Sequence, residues 1–152
     1  MKINYDLQEL QVKYKPSKKK LTNAEKIVCS EKAYNYLLKS FNNDTLACQE
    51  QFNVLFLNHA NYPIGIYKAS LGGLSATVVD IKLIIGLALK SLASGIIISH
   101  NHPSGNLTPS EHDCLITKKL KEACSYFDIK LLDHIIVTPF NEKFSFADNG
   151  RL

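Results

Sequence analysis

The sequence contains little that would place it in a membrane or direct it out of the cell. It has no uninterrupted apolar run of about eighteen residues, so no transmembrane helix is expected. Its first residues, M-K-I-N-Y-D, lack the basic and then apolar layout of a secretory signal peptide. Internal repeats and low-complexity stretches are also missing. These absences predict a cytoplasmic protein, and 152 residues suffice for one globular domain with its own core.

Paired cysteine spacing is also missing, which argues against a cysteine metal site. No Cys-x-x-Cys occurs among the four cysteines, Cys29, Cys48, Cys114 and Cys124. The last two lie ten residues apart in one helical pattern and cannot easily pair with each other. We therefore expect four reduced and mostly buried thiols.

Charge is spread unevenly along the chain. The net charge of +4 arises within residues 1–32, which hold eight lysines and four acids, whereas basic and acidic groups balance in the remainder. This pattern predicts a basic arm over residues 1–25 and a single domain over residues 26–152. Such an arm can contact nucleic-acid phosphates weakly, but a solvated tail is favoured because no aromatic stacking platform lies nearby. The excess charge centres on Lys13, Lys15, Lys18, Lys19 and Lys20.

The most informative stretch begins at His100 and reads H-N-H-P-S-G-N-L-T-P-S-E-H-D. The residues before it, Gly95-Ile-Ile-Ile-Ser99, are apolar and β-branched and predict a buried strand. Side chains at positions i and i+2 of a strand share a face, so His100 and His102 should project together from the strand end. The prolines and the glycine that follow predict a loop, and a helix should then begin at Ser110.

Asp113 would lie on the first turn of that helix, near the two imidazoles. Two histidines and a carboxylate, with a fourth position left for water, form the ligand set of a catalytic zinc. The spacing of Ser110 and Asp113 is also typical of an ordinary helix N-cap, and an isolated His-x-His can be accidental. Their combination after a buried strand favours a metal site, with Ser110 both capping the helix and facing the metal. We predict one zinc per chain, bound by His100, His102 and Asp113.

The pattern H-x-H-P, six residues and S-x-x-D resembles the JAMM motif of MPN/JAB-domain metalloproteases. The form H-N-H-P-S-G, with L-D-H at residues 132–134 and S-F-A-D at residues 145–148, resembles the RadC-type branch over about residues 34–150. The resemblance implies an α/β fold, JAB/MPN-like, with a mixed sheet sandwiched by about three helices. It also implies a zinc ion and hydrolysis of peptide or isopeptide bonds.

The same resemblance implies the residues that would assist hydrolysis. A metal-activated water needs a base to take its proton and return it to the leaving amine. In JAMM enzymes this base is a glutamate at the start of an upstream strand, which corresponds here to Glu50. An ordinary solvated acid is the alternative reading of Glu50, and Asp80, which suits a helix cap better, is the next candidate. The Ser110 hydroxyl would donate to the developing oxyanion.

The remaining histidines carry weaker signals. His59 lies in a turn, and His112 is rotated by about 100° from Asp113 on the helix, so both should be exposed. His134 lies within a strand and is either a hydrogen-bond partner of a zinc ligand or a satisfied core histidine. Asp133 should point to the opposite face of that strand.

Periodicity and breakers predict three helices interleaved with strands in an α/β sandwich. The first helix should be capped by Asn23 or Ser30 and end near Ser40, and the second, capped by Asp80, should be apolar around its circumference and buried. The third should run from Ser110 to about Phe127, with Phe127 in its core stripe. Strands are expected at residues 52–58, 64–70, 95–100, 131–138 and 144–146.

Three functions from different classes are compatible with these features. The first is a zinc hydrolase acting on an unknown protein or peptide substrate, supported by a ligand set with an open position. The second is a nucleic-acid accessory protein, supported by the lysine arm and by the DNA-repair role that the RadC name suggests. RadC-type proteins usually carry a helical-hairpin DNA-binding domain before the JAB domain, which this sequence is not expected to contain. The third is an interaction scaffold that retains zinc for structure.

Overall fold

The structure, a computed structural model, describes residues 25–71 and 79–152. Except for Glu25, the predicted basic arm lies outside these residues, and so do its lysines and Asn23. None of the helices in the described ranges combines the length and apolarity that crossing a membrane requires. The described elements are α1 (Ser30–Leu38), β1 (Gln51–Leu57), β2 (Pro63–Leu71), α2 (Ile81–Lys90), β3 (Gly95–Asn101), α3 (Glu111–Ser125), β4 (Lys130–Val137) and β5 (Lys143–Ser145).

The strands form one mixed sheet in the order β2-β1-β3-β4-β5. Strands β3 and β4 are parallel and are joined through α3, whereas the other neighbours pair antiparallel. Every residue of β1 and β3 is buried, because these central strands are covered on both faces. The predicted α/β fold with a mixed sheet and three helices is therefore confirmed.

Helices cover both faces of the sheet. Successive side chains of β3 point alternately to one face and to the other. Ile96 and Ile98 join the cluster formed with α2 and α3, whereas Ile97 joins the cluster formed with α1. His100 continues the even-numbered series, so its side chain emerges on the α3 side of the sheet. This parity places the predicted metal ligands next to the start of α3.

Two of the three predicted helix caps are confirmed. Asp80 caps α2 by accepting a hydrogen bond from the Leu83 amide at 3.2 Å, and Ser110 caps α3. The expectation for Ser30 is wrong, because Cys29 occupies the N-cap of α1 without a side-chain bond. The Ser30 hydroxyl instead donates to Asp148 Oδ2 at 2.5 Å and accepts from a lysine on β5.

Several burial expectations are wrong. A helix on the outside of one sheet buries only one of its sides. In α2, Leu83 and Leu89 are 45% and 44% exposed, so the helix is not buried around its circumference. Helix α3 ends at Ser125, which leaves Phe127 in the following turn and 49% exposed instead of in the core stripe. All four cysteines are free as expected, but only Cys124 is buried.

Candidate metal centre

The predicted ligands converge where β3 ends and α3 begins. His100 belongs to β3, and the next residues leave the sheet while the His102 amide still donates to the Val137 carbonyl of β4 at 2.9 Å. Gly105, with a φ of 81°, turns the loop back toward the helix. Asp113 is the third residue of α3 and is buried. The order strand, loop and helix start is the one that the sequence predicts.

Three donor groups face one another across a few ångströms. The Nε2 atoms of His100 and His102 are 2.9 Å apart, and Asp113 oxygens lie 3.0 Å and 3.5 Å from these two nitrogens. Zinc bonds of about 2.0 Å at tetrahedral angles would hold neighbouring ligand atoms roughly 3.3 Å apart. The 3.0 Å contact is made by Oδ1 and the 3.5 Å contact by Oδ2. One donor atom from each residue lies within 4.8 Å of the others, so among the described residues this His-His-Asp group could hold a metal.

Asp113 is held in place by the capping box at the start of α3. Its Oδ2 accepts hydrogen bonds from the Ser110 amide and hydroxyl, both at 2.7 Å, while Ser110 Oγ accepts from the Asp113 amide at 3.1 Å. Oδ1 is thereby directed toward His100 Nε2. Burial acts to raise the pKa of this carboxyl, but hydrogen bonds from His100 and His102 in their protonated forms outweigh it and hold the pKa far below its usual range. Asp113 is thus a carboxylate at any ordinary pH.

His102 is oriented by the loop that follows it. Its Nδ1 lies 2.5 Å from the carbonyl oxygen of Asn106, and a carbonyl can only accept, so Nδ1 carries the proton. Burial acts to lower the pKa of His102, but the hydrogen bonds to Asp113 and Asn106 outweigh it and raise the pKa. The Glu50 carboxylate adds to this rise. The negative charge of Glu50 therefore acts on a residue of the candidate site.

His134 is a partner of a candidate ligand, which decides between the two readings that the sequence leaves open. It is fully buried, and its Nε2 lies 2.8 Å from His100 Nδ1. Phe146 stacks on the His134 ring at 4.6 Å, and Phe52 lies parallel to the His100 ring at 6.3 Å. Burial, followed by the charge that His100 carries when protonated, holds the pKa of His134 well below its ordinary value. The two imidazoles are therefore fixed in orientation by aromatic packing as well as by a hydrogen bond.

The other expectations for acids and histidines agree with the structure. Asp133 points away from the candidate centre, where its carboxylate binds the Ser145 hydroxyl at 2.6 Å and the Ala147 amide at 3.0 Å. His59 and His112 are exposed. Asp80, the second candidate for the base, is engaged as the cap of α2.

Glu50 is half-buried and directly precedes β1, and Asn101 holds the backbone on both sides of it. The Asn101 Nδ2 group donates to the carbonyl of Gln49 at 2.9 Å and to that of Leu46 at 2.7 Å. Its Oδ1 accepts from the Gln51 amide at 2.7 Å. One side chain thus fixes both peptide neighbours of Glu50.

Sequence reasoning missed Asn101 and Thr117. Asn101 is a polar residue between two histidines near the end of an apolar strand, so alternation places it on the opposite face, where it needs hydrogen-bond partners of its own. Thr117 follows Asp113 by four residues, one turn along the same side of α3, and it is buried. Its Oγ1 donates to the Asp113 carbonyl at 2.5 Å and lies 2.6 Å from His134 Nδ1.

Comparison with known proteins gives one family. Residues 27–151 match the model of the RadC-like JAB domain. A UPF0758 protein of Flavobacterium johnsoniae is 48% identical over 101 residues, which cover 66% of this chain and 44% of that protein. A UPF0758 protein of Listeria monocytogenes is 39% identical over 132 residues, covering 86% of this chain and 57% of that protein.

The UPF0758 protein YeeS of Escherichia coli K12 is 41% identical over 104 residues, covering 68% of this chain and 70% of that protein. The chain therefore spans about half the length of the Flavobacterium and Listeria relatives and most of the length of YeeS.

Proposed function

From the premise that this chain belongs to the RadC-like JAB family, we propose that it is a zinc-dependent hydrolase of peptide or isopeptide bonds. One observation carries the proposal: two imidazole nitrogens and a carboxylate oxygen lie within 4.8 Å of one another, so that a single zinc ion could contact all three. Three ligands leave a fourth position open, which is typical of catalytic zinc and not of structural zinc.

His100 and His102 would hold the ion through Nε2, and Asp113 through Oδ1. When bound, zinc supplies a Lewis acid that makes water a nucleophile at neutral pH. The Asp113 carboxylate is already ionised and oriented by Ser110, so neither deprotonation nor rearrangement of this ligand is needed. The candidate ligands are thus preorganised, which lowers the free-energy cost of binding an ion.

Glu50 is the proposed general base, which would take a proton from the attacking water and return it to the leaving amine. Two observations support this role. The charge of Glu50 contributes to the raised pKa of His102, and Asn101 fixes the backbone on both sides of Glu50. A backbone held in this way would keep the base in one place between the two proton transfers.

Ser110 is the proposed donor to the oxyanion of the tetrahedral intermediate. Its single hydroxyl hydrogen is donated to Asp113 Oδ2 in the structure. Stabilising an oxyanion would require the hydroxyl to rotate from Asp113 toward the substrate. The amide of Ser110 would continue to hold Oδ2 during that rotation.

The test uses purified chain and a substrate found by screening a peptide library. Glu50→Gln should bind as much zinc as the parent, because Glu50 is not a proposed ligand and the amide is nearly isosteric. Its cleavage rate should fall by about 10²–10⁴-fold, because an amide cannot accept the proton.

Asp80→Asn is the matched control, since it makes the same carboxylate-to-amide change at a helix cap and should leave the rate unchanged. An unchanged rate in Glu50→Gln would place the base elsewhere. A parent chain that is fully loaded with zinc and cleaves no library peptide would instead favour a scaffold that retains zinc.

A further inference from the structure

We propose that Thr117 and His134 are positioning residues that set the tautomer of His100, so that its Nε2 keeps an unprotonated lone pair directed at the metal position. The consequence for metal binding rests on the proposed function. The tautomer itself is a property of the metal-free chain and can be tested separately.

The chain of hydrogen bonds starts at the backbone carbonyl of Asp113. A carbonyl oxygen can only accept, and Thr117 Oγ1 lies 2.5 Å from it. The one hydroxyl hydrogen of Thr117 is therefore committed to this carbonyl. Toward any other partner, the Thr117 oxygen acts as an acceptor.

The next contact fixes the protonation of His134. Its Nδ1 lies 2.6 Å from the Thr117 oxygen, so Nδ1 must carry a hydrogen. Its other nitrogen, Nε2, faces an imidazole, so neither hydrogen-bond partner of His134 bears a negative charge. A second proton would place a cation in a fully buried position without a contacting counter-charge, which is strongly unfavourable. His134 Nε2 is therefore an acceptor.

The last contact sets His100. Its Nδ1 lies 2.8 Å from the accepting His134 Nε2, so the His100 proton resides on Nδ1. The other nitrogen, Nε2, is then left with its lone pair toward His102 and Asp113. The loop carbonyl of Asn106 produces the same tautomer in His102 directly. The two candidate ligands thus share one tautomer, set by a backbone carbonyl in each case, but for His100 the effect passes through two side chains.

The test compares two substitutions of Thr117. Thr117→Val is nearly isosteric but removes the oxygen that accepts from His134, whereas Thr117→Ser retains it. Zinc affinity of the metal-free protein, measured by competition with a chelator, should fall by about 10–100-fold in Thr117→Val and stay near the parent value in Thr117→Ser. Thr138→Val is the matched control, because Thr138 is also fully buried but binds only backbone amides after β4.

A second pair of variants examines the His134 position. His134→Gln can still offer an oxygen to His100 Nδ1 and should retain more zinc affinity than His134→Leu, which offers none. Equal affinities within both pairs, Thr117→Val with Thr117→Ser and His134→Gln with His134→Leu, would overturn the proposal.

Nitrogen NMR of the His100 ring measures its tautomer directly. The tautomer should not change on substitution of Thr117 if that residue has a purely structural role. In metal-free parent protein with neutral imidazoles, the Nδ1–H tautomer of His100 should dominate. Thr117→Val should shift the population toward Nε2–H. A parent chain with the Nε2–H tautomer would overturn the relay even if it binds zinc. A parent chain with the expected tautomer that takes up no zinc would overturn the proposed function and leave the relay standing.

Discussion

His100 and Asn101 are neighbours in β3, and both are buried. The Asn101 side chain meets complementary hydrogen-bond partners, whereas His100 Nε2 does not. The Asn101 amide is satisfied on both sides, since its Nδ2 donates to carbonyls and its Oδ1 accepts from an amide. His100 Nε2 instead faces another imidazole nitrogen and a carboxylate, all of which are acceptors when the imidazoles are neutral. Burial therefore does not distinguish a structural polar group from a ligand. The balance of donors and acceptors around the group does.

The largest expected effect is on zinc content, and it comes from removing the two histidines whose Nε2 atoms face Asp113. His100→Ala combined with His102→Ala should lose all specific zinc, measured by elemental analysis of protein purified without added metal. The far-UV circular dichroism should stay close to that of the parent, because the apolar clusters on both faces of the sheet are untouched. His112→Ala, an exposed histidine on α3, is the control and should bind zinc normally. Full zinc retention by the double variant would refute the ligand assignment.

The next largest effect is on stability, and it comes from removing the Asn101 side chain, whose hydrogen bonds are all satisfied. Asn101→Ala leaves two carbonyls and one amide without their partner, which should lower the free energy of unfolding by about 3 kcal/mol in urea titrations. Zinc content should not change, because Asn101 points away from the ligands. Cleavage should slow by about tenfold or more, because Glu50 loses its support.

Asn53→Ala is the matched control for Asn101→Ala. Asn53 is equally buried on β1, and its side chain donates to Ser40 Oγ at 3.0 Å. This variant should be destabilised by about 1 kcal/mol and cleave at the parent rate. If both variants cleave equally fast, Asn101 has only a structural role.

The smallest expected effect is a loss of stability of similar size at two helix caps, Ser110 and Asp80, which should differ in their influence on zinc binding. Ser110→Ala and Asp80→Ala should each lower the free energy of unfolding by about 1 kcal/mol, because each removes an N-cap bond. Only Ser110→Ala should also weaken zinc binding, since Asp113 Oδ2 loses one of its donors. At saturating zinc, a further loss of rate in Ser110→Ala would reveal the oxyanion role. Identical behaviour of the two variants would leave Ser110 as a cap alone.

The parts of the structure that could be predicted from the sequence depend on local patterns. The apolar run of β3 and the Ser110–Asp113 spacing define the strand, the loop and the helix start through backbone preferences alone. The features that were predicted wrongly depend on a tertiary contact in one case and on where a helix ends in the other. Ser30 binds Asp148, 118 residues away, instead of capping its own helix, and Phe127 is exposed because α3 ends before reaching it.

The residues that contact the candidate ligands also depend on pairings between distant parts of the sequence. Thr117 and His134 are 17 residues apart, and their contact exists only because the parallel pairing of β3 and β4 brings α3 over β4. Asn101 reaches Gln49 over 52 residues. One sequence gives the faces on which such residues lie, but it does not give the pairing that joins them.

The alternation at the end of β3 has a consequence for how the chain can change in length. His100 and His102 project on one side of the strand and Asn101 on the other, so alternation alone directs the candidate ligands toward α3 and the Asn101 amide toward the backbone around Glu50. A single inserted or deleted residue in β3 would exchange the two sides and remove both sets of contacts in one step. The site therefore depends on the length of the strand as strictly as on its histidines.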